Sequence, residues 1–70
     1  MEIKAAINEL IDLMNDGMKP NEVRAAAAEG LGYVGGPEAR SSLAKMMTDG
    51  MKPNVLRAAA AKALGRAAQA

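Results

Sequence analysis

Arg24 and Arg57 are the side chains whose placement most suggests chemistry. Each opens an Arg-Ala-Ala-Ala-Ala run, and each lies eight residues after an aspartate, Asp16 or Asp49. A guanidinium near a helix start could hold an anion. Its planar fork also matches a partly buried carboxylate, and structural ion pairs with Asp16 and Asp49 are the expectation. The other carboxylates, Glu2, Glu9, Asp12, Glu22, Glu29 and Glu38, show no convergent spacing beyond helix-surface placement. General acid–base catalysis needs a pocket and a shifted pKa, and nothing in this pattern supplies either.

Gly30-Leu31-Gly32-Tyr33-Val34-Gly35 matches G-x-G-x-x-G. Dinucleotide binding by that motif needs a strand before the glycines and a helix opening after them, so that amide groups face the phosphates. Here the glycines close a helical pattern, so they are read as helix packing and helix termination. The chain has no cysteine and no histidine. That removes thiol nucleophiles, disulfides and the usual zinc sites. No catalytic residue, metal or cofactor is expected.

The hydrophobic share is 50% of 70 residues, and 16 of those residues are alanine. Tyr33 is the single aromatic. A core must therefore draw on Ile3, Ile7, Leu10, Leu13, Met14, Val23, Leu31, Val34, Leu43, Met46, Met47, Leu56 and Leu64, a short list for a chain near the lower size limit of an independent core. A net charge of +1 selects no partner class. Lys19, Arg24, Lys52, Arg57, Lys62 and Arg66 would be the contacts of a helical nucleic-acid binder, but they are scattered, and the charge balance disfavours that reading. No apolar run approaches the length of a membrane span. Met1 leads directly into an amphipathic pattern, unlike a signal peptide. A soluble, cytoplasmic protein is expected.

These residues sit on a repeat. Asp16-Gly17-Met18-Lys19-Pro20-Asn21 returns as Asp49-Gly50-Met51-Lys52-Pro53-Asn54, and 13 of the 17 positions from Asp16 to Gly32 are identical 33 residues later. A period of this length marks solenoid or array architecture. Ile3, Ile7, Leu10, Ile11 and Met14 recur at three- and four-residue steps and predict a first helix from Glu2 to Asn15. Gly17 offers the left-handed conformation that would end it. A second helix starts at Lys19-Pro20-Asn21, with Lys19 or Asn21 as its cap. It runs to about Val34, presenting Val23, Ala27, Leu31 and Val34 on one face. Gly35-Gly36-Pro37 breaks it. A third helix through Thr48 turns Ala39, Leu43, Met46 and Met47 inward, and a fourth from about Asn54 buries Leu56, Ala60, Ala63, Leu64 and Ala67. The predicted fold is all-α, with residues 1–70 as one domain, repeat one at 1–34 and repeat two at 35–70. Ala25, Ala28 and Gly32, then Ala58, Ala61 and Gly65, put small residues on further faces of the second and fourth helices. Such helices suit close packing between neighbours on both sides.

The Val23-Arg24 step, the alanine run, Leu31-Gly32 and Gly36-Pro37-Glu38-Ala39-Arg40 together resemble short HEAT-like repeats of the phycobilin-lyase type. The resemblance covers nearly the whole chain. It implies two HEAT-like helical hairpins in a short right-handed α-solenoid, with Arg24 and Arg57 pairing to Asp16 and Asp49. The chain departs from that pattern in its longer turn, in Gly30 where Ala63 keeps alanine, in Leu56 where valine is typical, and in having two repeats. By the same resemblance, an accessory subunit for chromophore or cofactor attachment is the alternative function.

The expected function is a non-catalytic protein–protein interaction or assembly module. Two repeats make a poor groove, and neither terminal helix looks like a polar cap, so the exposed ends invite self-association. A homodimer, or a higher oligomer, formed by end-to-end stacking or exchange of hairpins is expected. Ile11 and Leu13, flanking the main stripe of the first helix, are candidate contacts. So are Met18 and Met51, since methionine adapts well at binding surfaces, although both could instead plug their turns. Tyr33 could face a partner, with covering a core edge as its plainer role.

Overall fold

The three- and four-residue apolar spacing becomes four helices in the computed structural model, which describes residues 1–69. These are α1 (Ile3–Asn15), α2 (Asn21–Val34), α3 (Gly36–Thr48) and α4 (Asn54–Ala67), and no strand occurs among the described residues. Helix starts need acceptors for their free amides, and at α1 the Glu2 carboxylate accepts from the Lys4 and Ala5 amides. α2 and α4 use neither Lys19 nor Asn21 nor their counterparts. Pro20 and Pro53 precede the first helical residue, with φ −59° and −58°, and no side chain caps either helix. The Pro20 carbonyl accepts from the Val23 and Arg24 amides, and that of Pro53 from Leu56 and Arg57. Proline's restricted φ presets this geometry, and its missing N–H leaves one fewer amide to satisfy.

The expected left-handed stop at Gly17 does not form. Positive φ occurs only at Gly35 and Gly36 among the described residues. α1 ends instead because Asp16 turns extended, φ −82° and ψ 100°, and Asp49 ends α3 in the same way at φ −85° and ψ 103°. Each aspartate then accepts from the amide two residues on, Met18 or Met51, at 2.9 Å. This side-chain turn replaces the glycine cap. Between α2 and α3 there is no loop at all: Gly35, at φ 72° and ψ −161°, closes one helix and opens the next. That backbone region is essentially restricted to glycine.

Met14, Leu31, Leu43 and Leu56 are the largest fully buried side chains, and Ala27, Ala28, Ala39, Met46, Ala60, Ala63 and Ala67 fill the spaces between them. Each of the four large residues contributes roughly 1.5–3 kcal/mol by burial. Ile7, Leu10, Leu13, Met47 and Leu64 pack half-buried against this core. Three expected core residues stand outside it: Ile3 at 67% exposure, Val23 at 38%, and half-buried Val34. α1 contacts α2 and only a little of α3, and does not reach α4. An apolar stripe as wide as that of α1 therefore cannot be covered on both flanks.

The most extensive helix contact is α2 against α4, and α2 packs closely on α1 as well. Small residues allow this approach. A methyl added at Gly32 would stand 2.9 Å from the Ala63 carbonyl oxygen and 3.0 Å from its Cβ. Gly30 makes room within its own hairpin, where a Cβ would meet the Leu10 side chain at 3.2 Å. α4, by contrast, touches only α2 and α3.

Candidate functional site

Helix C-termini leave carbonyl groups without amide partners, and this is where the two arginines go. Arg24 Nε donates to the Met14 carbonyl at 2.9 Å, and Arg57 Nε donates to the Met47 carbonyl at 3.0 Å. Each guanidinium on the second helix of a hairpin thus closes the last turn of the first helix, where the negative end of the helix dipole also favours a cation. No ion pair joins the arginines to Asp16 or Asp49 among the described residues; each aspartate accepts instead from an amide of its own turn. Arg24 is 5% exposed, whereas Arg57 is half-buried. No buried side-chain nitrogen or oxygen lacks a hydrogen-bond partner among the described residues. Each arginine thus has a structural role through its Nε.

Met18 and Met51 do not plug their turns; each is 91% exposed at the tip. Ile11 and Leu13, the other apolar candidates, are half-buried and packed against the core. They are flanks of the interior, and offer little free surface. The six basic residues are likewise divided, since two are committed to carbonyls, Lys52 is half-buried, and Lys19, Lys62 and Arg66 are exposed.

Tyr33 does not cover a core edge. It is 70% exposed, and the Arg66 guanidinium stacks over its ring, 4.5 Å from the centroid. Such a cation–π contact contributes about 0.5–1 kcal/mol at an exposed site. The pair closes one end of a groove of about 290 Å³ between α2 and α4, lined by Glu29, Tyr33, Lys62, Ala63 and Arg66. The sequence held one signal for this groove: Glu29 and Lys62, like Tyr33 and Arg66, are 33-residue counterparts in which otherwise similar repeats differ.

The outer face of α4 is a second surface, and the repeat supplies its comparison. On α2, Ala28, Leu31 and Gly32 are buried. Their counterparts on α4 are exposed Ala61, half-buried Leu64 and exposed Gly65, and a Cβ at Gly65 would meet nothing within 4 Å. The described residues contain no group of acidic, histidine or cysteine side chains able to hold a metal, and no helix is long and apolar enough to cross a membrane.

No curated protein and no solved structure matches the chain significantly. The family model for HEAT repeats matches residues 2–69, which together with the four-helix architecture makes this a short all-α solenoid. HEAT repeats generally mediate protein–protein interaction. With almost its whole length matched, the chain belongs to the HEAT-repeat family.

Proposed function

We propose that this protein is a non-catalytic assembly module that associates with a second copy of itself through the outer face of α4. One observation carries the reading: α4 repeats the surface with which α2 receives its neighbour, and none of the described residues covers it. Ala28 and Gly32 of α2 are buried, while Ala61 and Gly65 of α4 are open. An exposed glycine inside a helix costs about 1 kcal/mol relative to alanine, and a close-packed neighbour gives it a reason to be there. Two α4 helices meeting about a twofold axis would cover both faces and close the assembly as a dimer.

Light scattering behind size exclusion tests this over a concentration series. The mass should rise from one chain toward two, and Gly65→Leu, which fills the face without disturbing the monomer's core, should hold it at one. A well-folded wild-type monomer at every concentration would overturn the proposal.

A further inference from the structure

The groove between α2 and α4 combines features that the packing of the chain does not require. Its α2 wall carries Glu29 and Tyr33, and its α4 wall carries Lys62 and Arg66. Glu29 and Lys62 carry opposite charges on facing walls, yet no ion pair joins them among the described residues. Arg66 makes no hydrogen bond there either; its contact is the stack on Tyr33. That stack holds the guanidinium plane while leaving its edge N–H groups free, the arrangement that suits bidentate recognition of a carboxylate. Lys62, one turn earlier on α4, adds a second cation to the same wall.

Beyond the lining itself, seven residues before Glu29 and Lys62 and on the same helix faces, stand Glu22 on α2 and Val55 on α4, and Val55 is 53% exposed. One side of the groove therefore accepts hydrogen bonds, and the other offers cations and an apolar contact. A peptide segment supplies the complement: amide N–H groups for Glu29, an aliphatic contact for Val55, and a side-chain carboxylate for Arg66 and Lys62. A nucleic-acid backbone fits poorly, because it needs successive cations along its phosphates, and here only Lys62 and Arg66 line the groove.

The geometry points to this groove as a binding site for an acidic peptide segment, with Arg66 as the carboxylate anchor and Tyr33 as the residue that positions it. Nitrogen-15-labelled protein can be titrated with the acetylated, amidated peptide Ala-Ala-Glu-Ala-Ala and with its Gln counterpart. The Glu peptide should shift the amides of Glu29, Tyr33, Lys62 and Arg66 saturably, and the Gln peptide should bind at least about tenfold more weakly. Arg66→Gln should weaken the Glu peptide by about the same factor, since the pairing to charge is lost. Tyr33→Leu should weaken it less, by freeing the guanidinium. Both side chains are exposed, so unchanged circular dichroism will confirm that the variants fold. Equal binding of the two peptides, an Arg66→Gln variant that binds normally, shifts spread over Lys19 and Lys52, or tighter binding of a single-stranded oligonucleotide at the same amides would each overturn the proposal.

Discussion

Arg24→Ala is expected to cost about 3 kcal/mol of folding stability, while Arg57→Ala should cost about 1 kcal/mol. The two residues are sequence counterparts making the same bond, Nε to the carbonyl ten residues earlier, at 2.9 and 3.0 Å. They differ in surroundings. Arg24 is 5% exposed on α2, which α1, α3 and α4 all contact, and Arg57 on α4 is half-buried. Removing Arg24 leaves the Met14 carbonyl without its charged donor in a place that water reaches poorly. It also leaves a void where the aliphatic stem packed. At Arg57, water can replace much of what is lost. For a domain of this size, about 3 kcal/mol corresponds to a Tm lower by roughly 12–24 °C.

Thermal and urea unfolding followed by circular dichroism would read both differences. Arg24→Met keeps most of the stem and removes the donor, so its loss should fall between wild type and Arg24→Ala. Asp16→Ala should cost no more than about 1 kcal/mol, the scale of a lost turn cap, because Asp16 serves the Met18 amide and not the arginine. Equal losses at Arg24 and Arg57, or an Asp16→Ala loss as large as that of Arg24→Ala, would count against this assignment.

The second large effect comes from one substitution at two equivalent glycines, with opposite signs. Gly32→Ala should destabilise by about 1–3 kcal/mol, even though alanine is the better helix former. Its Cβ would stand 2.9 Å from the Ala63 carbonyl oxygen, and that contact is backbone, so α2 and α4 must separate to admit it. Their mutual face is the largest in the molecule, and it is lined by alanines too short to readjust. Gly65→Ala meets open space, so it should stabilise the isolated chain by about 0.5–1 kcal/mol through the reduced backbone entropy of its unfolded state. Denaturant midpoints of the two variants, measured at low protein concentration, check the sign. Two shifts in the same direction would refute the packing account. If α4 also receives a second copy, Gly65→Ala should weaken association while strengthening the monomer, so its advantage over wild type should shrink as concentration rises.

Much of this molecule is legible in the order of its residues. The apolar spacing places all four helices, because burial on one side of a helix requires that period whatever the helix packs against. The 33-residue identity marks the hairpins, and the helical context of Gly30, Gly32 and Gly35 is enough to exclude a phosphate cradle. Leu31, Leu43 and Leu56 were identifiable as core because each lies at the centre of its stripe. The edges of those stripes were not. Whether Ile3 and Val23 are covered depends on how far the neighbouring helix extends, and that length is set by the angle and offset of packing. The partner of each arginine was equally hidden, since a carbonyl is present at every residue and only the fold brings that of Met14 to Arg24.

The largest gap concerns residues that are identical in sequence and different in fate. Gly32 and Gly65, Ala28 and Ala61, and Arg24 and Arg57 are pairs of the same type in matching local contexts. Sequence determined that they occupy the same place on their helices. Tertiary structure alone decided that the member on α2 is buried while its counterpart on α4 is more exposed, because a helix surface acquires its environment from what stacks on it. The groove of Glu29, Tyr33, Lys62 and Arg66 has the same origin: its walls belong to different repeats, and only the close approach of α2 and α4 makes them one site.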